Sequence, residues 1–99
     1  MITVIAKLKV QAGKEAEFHS AAEKMIAYVK ASEPGTQTYV LHRSSGDATD
    51  LMFYEVYADQ AALAAHGTSA AMKEFFGAVG GLLAGRPEIT TYEEIAGKK

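Results

Sequence analysis

Two residues in this chain of 99 stand where their chemistry is at odds with their neighbours. His66 closes the Ala-rich segment Ala61-Ala62-Leu63-Ala64-Ala65, beside Gly67 and three residues before Ser69. An imidazole has an ordinary pKa of about 6.5, so at such a place it serves as a general base or bonds a carbonyl or carboxylate at a helix terminus. Glu55 is the only charge within Leu51-Met52-Phe53-Tyr54-Glu55-Val56-Tyr57, on the face of Leu51, Phe53 and Tyr57. A carboxylate in that company must be paired, hydrogen-bonded or kept protonated. Its candidate partners are His66 and Arg43. A Glu55–His66 pair would orient the ring, as catalytic and purely structural pairs both do.

Other groups widen the inventory. Tyr39, Tyr54, Tyr57, Phe75 and Phe76 either wall a flat aromatic ligand or simply fill a core. His42 shares a strand face with Thr38 and Val40, while Tyr39, Leu41 and Arg43 share the other, so His42 and Arg43 do not line one pocket. The pattern points His42 toward a partner sheet or a turn, with ligand contact as its alternative. His19 reads as a partly exposed helix residue. No two histidines form a close helical or hairpin pair, so no metal site is expected. The chain has no Cys, which removes disulfides and thiolate chemistry. Gly80-Gly81 lies at a helix end and opens no phosphate-binding loop. Ten Lys and Arg against twelve Asp and Glu leave a net charge of -2, with no basic excess for nucleic acid. Apolar runs fall far short of the roughly 20 residues that span a membrane. Met1-Ile2-Thr3-Val4 enters a strand pattern without a basic start and apolar h-region, and the expectation is a cytoplasmic domain.

The elements that must position these groups follow from periodicity. Ile2 to Val10 alternates, with Ile2, Val4, Ala6, Leu8 and Val10 on one face, and Gln11-Ala12-Gly13 breaks it. From Lys14 to about Ala31 the period becomes helical, with Phe18, Ala22, Met25 and Val29 as its apolar stripe. Pro34 and Gly35 end that helix. Thr36 to Arg43 alternates again, Ser44 to Asp50 is a turn, and Leu51 to Tyr57 is apolar on both faces, as a central covered strand is. Asp59 caps a short helix over 61–66, and Thr68 or Ser69 caps a second carrying Met72, Phe75, Phe76 and Val79. Glu88 to Ile95 is a last strand, and residues 96–99 form a tail. The expectation is one domain over 1–99.

Strand, helix, strand, strand, helices, strand is the βαββαβ order of ferredoxin-like α+β folds with an antiparallel sheet. With helices on one face only, the other face stays bare. Ile5 and the two-sided third strand would then leave a patch that calls for a partner, most simply a second sheet in a homodimer. The alternative is a monomer whose aromatics all lie in its own core.

Segments of the chain resemble the antibiotic biosynthesis monooxygenase domain family. Ser32-Glu33-Pro34-Gly35-Thr36, then Tyr39-Val40-Leu41-His42-Arg43, are similar to its E-P-G-T…Y…L-H-R segment. Phe53-Tyr54-Glu55-Val56-Tyr57-Ala58-Asp59, with Ala62-Leu63 and Ala65-His66-Gly67-Thr68-Ser69, resemble its F-Y-E-x-Y-x-D…A-L…A-H-x-x-S run. Ala12-Gly13-Lys14-Glu15-Ala16-Glu17-Phe18 resembles its P-G-K-E-x-E-F turn, with Ala12 in place of Pro. The resemblance implies a dimeric α+β barrel with a small pocket in each protomer between helices and sheet.

It also implies a class of chemistry. Members oxidise quinols or polyketide phenols with O₂, often without metal, flavin or haem; others isomerise or degrade small signalling compounds. In cofactor-free oxidation a phenol must first lose its proton, because the phenolate gives an electron to O₂ far more readily. The resemblance assigns that task to His66, with Glu55 to orient it. Tyr39, Tyr54, Tyr57, Ser69, Phe75, Phe76 and His42 would bind a small aromatic or quinol-like ligand. The expected function is thus a cofactor-independent monooxygenase. Its alternatives are an isomerase or cyclase of a small keto compound, or a non-catalytic ligand-binding module. Two departures stand out: Ala71 and Met72 replace the second His and the Phe of A-H-x-x-S-x-H-F. The absence of Asn and Trp removes residues on which haem-degrading and polyketide-oxidising relatives rely.

Overall fold

The computed structural model describes residues 1–99. Its elements run β1 (Ile2–Lys9), α1 (Glu15–Ser32), β2 (Thr36–Arg43), β3 (Asp50–Tyr57), α2 (Gln60–Gly67), α3 (Ala70–Val79), a 3₁₀ turn (Gly80–Leu82) and β4 (Glu88–Glu93). The strands form one antiparallel sheet in the order β2-β3-β1-β4. This is the ferredoxin-like βαββαβ arrangement, with β3 and β1 central. The β1–α1 turn uses Gly13 at φ 89°, a left-handed conformation that glycine adopts without a Cβ clash.

The helices cover one face. α1 buries Phe18, Ala22, Met25 and Val29, the stripe its spacing dictates, against Leu8, Leu51 and Phe53 of the sheet and Phe75 of α3. Side chains in one sheet row share a face. The rows Tyr39–Glu55–Val4 and Leu41–Phe53–Ala6–Ile89 therefore face the helices, whereas Val40–Tyr54–Ile5–Thr90 and His42–Met52–Lys7–Glu88 lie on the open face. Asp59 accepts from the Ala62 N–H and Ser69 from the Met72 N–H, so each short helix begins at a side-chain cap. No helix is long and apolar enough to cross a membrane.

α2 meets the start of β2 at Gly35. A Cβ at Gly35 would come within 2.7 Å of the Ala62 Cβ, closer than side-chain carbons pack. Gly35→Ala should therefore destabilise the domain by about 1–3 kcal/mol, as overpacked contacts do, and Ala62→Gly in the same chain should recover most of the loss. Urea unfolding of the two single variants and the double variant measures this.

Candidate active site

A cavity of about 160 Å³ lies between the sheet and the α2–α3 helices. Its floor is Val4, Ala6 and Leu8 of β1 with Phe53 of β3, and its roof is Leu63, Met72, Phe75 and Phe76. Pro87 and Ile89 stand on the β4 side, where Ile89 is 58% exposed. Into this apolar space project Tyr39, Glu55 and His66.

His66 is buried, and its ring is held from three sides. Nδ1 lies 2.9 Å from Oε1 and 3.1 Å from Oε2 of Glu33. The rings of Tyr39 and Tyr57 pack against it at centroid distances of 5.1 and 5.4 Å. Nε2 is the one buried side-chain nitrogen or oxygen with no hydrogen-bond partner. A buried polar atom left unpaired costs about 1–3 kcal/mol, a cost that a ligand bonding to it would recover.

Glu55 is also buried, and Tyr57 Oη donates to its Oε1 at 2.5 Å. Its other oxygen makes no hydrogen bond and is not among the sealed atoms, so it faces the cavity. Burial pushes the Glu55 carboxyl up from the ordinary 4.5 to about 7, against the opposing Tyr57 hydrogen bond and with help from the Glu33 charge. Burial also raises the Tyr39 and Tyr57 phenols, with the Glu55 and Glu33 charges adding to it, so both stay protonated.

The raised Glu55 value has a consequence for stability. Below pH 4.5 the carboxyl is protonated in folded and unfolded chains alike, and nothing is lost. As pH rises through 4.5 to about 7 the unfolded chain ionises first, so stability falls, by about 3 kcal/mol in all. Glu55→Gln should remove this slope, becoming more stable than the parent at pH 8 but not at pH 4. A difference between the two that is constant across that range would show that Glu55 is not raised.

The sequence expectations meet this geometry unevenly. His66, Glu55, Tyr39, Phe75 and Phe76 are brought together around the cavity, and Tyr57 stands behind Glu55 and His66. Tyr54 and His42 are not: strand alternation turns both onto the open face, and His42 Nδ1 lies 3.2 Å from the Val40 carbonyl. Ser69 caps α3 and bonds the His66 carbonyl, so its hydroxyl is engaged by backbone rather than by the cavity. The partner expected for Glu55 also differs. Neither His66 nor Arg43 pairs with it; Tyr57 does, because i and i+2 on a strand share a face. Glu33, which the sequence marked only as a helix end, holds His66 instead. Its signal was present in the E-P-G-T segment, where a charge directly precedes the helix-breaking Pro34. Ala71, in place of the second His of the resembled pattern, packs beside α1 and does not line the cavity, whereas Met72 does.

With fold and cavity defined, comparison with known proteins places the chain. Residues 1–78 match the family model for antibiotic biosynthesis monooxygenase. A solved Caulobacter crescentus protein, a candidate antibiotic biosynthesis monooxygenase, is 38% identical, with 96% of this chain and 90% of that chain aligned at a TM-score of 0.92. A conserved Methanosarcina mazei protein is 26% identical over 95% of this chain and 92% of its own, TM-score 0.89. A Nitrosomonas europaea protein at 23% identity, covering 97% of this chain and 100% of its own, has the same fold at TM-score 0.89. The search of curated proteins found no match. The chain belongs to the antibiotic biosynthesis monooxygenase family.

Proposed function

We propose that this protein is a cofactor-independent monooxygenase acting on a small quinol or phenol. The observation that carries the reading is His66, which lines an aromatic-walled cavity and whose buried Nε2 has no partner in the protein. A substrate hydroxyl there satisfies Nε2 and loses its proton to it. The phenolate then reduces O₂ by one electron, and the radical pair joins at a ring carbon. His66 returns its proton to the outer peroxide oxygen, which leaves as water with that carbon's proton, and the other oxygen stays on the ring as a carbonyl. The free oxygen of Glu55 bonds the second hydroxyl of a quinol, and Phe75 and Phe76 enclose the ring.

Cavity size narrows the substrate. An apolar cavity of about 150 Å³ admits benzene, so about 160 Å³ suits one aromatic ring better than two. The test is oxygen consumption by metal-stripped protein, with autoxidation subtracted, comparing a one-ring hydroquinone with a reduced naphthoquinone. Saturable consumption, faster with the single ring, supports the reading. No consumption above background overturns it, and turnover of a keto compound without oxygen would favour the isomerase alternative.

We further propose that two copies pair through the open sheet face. Ile5, Met52 and Tyr54 lie there beside Val40 and Tyr92, which are 46% and 54% exposed. One face of a four-stranded sheet is close to the roughly 800 Å² per partner of a standard interface. Sedimentation at micromolar concentration should give twice the chain mass, and a 10.6 kDa species would overturn the dimer.

A further inference from the structure

We infer that Glu33 is the positioning residue of this site: its carboxylate holds the neutral His66 ring, which lines the cavity, in the Nδ1–H form and leaves the unpartnered Nε2 as the nitrogen with the lone pair. The inference rests on His66 being the base proposed above, and Glu33 acts only through it.

Donors and acceptors fix the tautomer. Both Glu33 oxygens face Nδ1, at 2.9 and 3.1 Å. An ionised carboxylate only accepts, so Nδ1 carries the proton, and a neutral imidazole has no second one for Nε2. The opposite tautomer would set a lone pair against the carboxylate and bury an Nε2–H without an acceptor, two penalties in one ring. The carboxylate is itself fixed, since Thr36 Oγ1 donates to Oε1 at 2.7 Å. Tyr39 and Tyr57 confine the ring from its sides.

Local structure explains how Glu33 comes to lie there. It is the C-terminal cap of α1 with φ -120°, outside helical geometry, because Pro34 follows. The side chain thus turns away from the helix axis and under α2. Its position also lines an open groove between the end of α1 and β2. Glu33 therefore stands at the wall between that groove and the cavity, its side chain 7% exposed. When Nε2 takes a proton, the resulting imidazolium finds its counter-charge already in hydrogen-bond contact, as preorganised sites require.

The test reads the tautomer directly. In ¹⁵N-histidine-labelled protein, two-bond proton–nitrogen correlations distinguish Nδ1–H from Nε2–H, and the His66 signals are those lost in His66→Gln. The parent protein should show Nδ1–H in the neutral ring. Glu33→Gln should keep it, because an amide oxygen in the Oε1 position accepts from both Thr36 Oγ1 and Nδ1, whereas Glu33→Leu, with no acceptor there, should let the ring proton move to Nε2. Glu33→Leu should also lower hydroquinone-dependent oxygen consumption by roughly 10²–10⁴-fold with KM little changed. An Nε2–H ring in the parent, or an unchanged Nδ1–H ring in a folded Glu33→Leu, overturns the inference; the parent measurement decides alone if the variant does not fold. Because the spectrum needs no turnover, a protein with the expected tautomer but no oxygen consumption would retain Glu33 and lose the monooxygenase reading. The reverse result would do the opposite.

Discussion

His66→Ala is expected to lower hydroquinone-dependent oxygen consumption by roughly 10²–10⁴-fold, the span that a positioned general base contributes. In barrier terms this is about 3–5 kcal/mol. The expectation follows from place as much as from residue type. Nε2 is the only sealed side-chain nitrogen or oxygen without a partner, and the cavity offers one other group with a free basic oxygen, Glu55. Tyr39 and Tyr57 are held as neutral phenols by burial, whereas Glu55, raised to about 7, is a stronger base than an exposed carboxylate but is half protonated at neutrality. Glu55 therefore leaves a residual rate that the double variant His66→Ala/Glu55→Gln should remove. Removing the imidazole also strips Glu33 of a partner, so folding must be checked in parallel by circular dichroism. His66→Gln, whose amide still reaches Glu33, separates lost chemistry from lost structure. Oxygen consumption unchanged in a folded His66→Ala protein would remove His66 from the mechanism.

Phe18→Ala is expected to cost about 3–5 kcal/mol of folding free energy, the range for a buried aromatic truncated in place. Phe18 is 0% exposed and packs edge-on to Phe75 at a centroid distance of 5.9 Å, joining α1 to the helix that roofs the cavity. Domains of this size hold only about 5–15 kcal/mol in total. The thermal midpoint should fall by roughly 12–40 °C. Ile89→Ser is the contrast, since Ile89 is 58% exposed and its loss should stay within about 0.5 kcal/mol in the isolated chain. A small loss from Phe18→Ala, equal to that of Ile89→Ser, would mean that the core between α1 and α3 is not packed as described.

Much of the architecture was legible because it is written at short range. β2 begins and ends where its alternation does, at Thr36 and Arg43, and the four buried residues of α1 are those its helical spacing selects. Asp59 and Ser69 cap their helices as their side chains allow, and β4 stops two residues earlier than its apolar pattern, at Glu93. The order of elements then leaves few ways to fold, and the family is carried by motifs spread along the chain.

The site was legible only in part. Residue type singled out His66 and Glu55, because an imidazole ending an alanine helix and a charge in an apolar strand are each anomalous without knowledge of the fold. Periodicity also divided Tyr39 from His42, but two faces of a strand are equivalent until something packs on one of them. Only the docking of α1 and α3 made the Tyr39 face the inside and sent Tyr54 and His42 to the open side. The partners of the two key groups were likewise decided in three dimensions. Glu33 and His66 are 33 positions apart and no local spacing relates them; the close approach of Gly35 to Ala62 brings the helix end under α2 and makes the pair. The sequence by itself determined which residues had to find a partner, because burial forbids an unpaired charge or imidazole. The tertiary structure decided which partner each found and which atom, Nε2 of His66, was left buried without one.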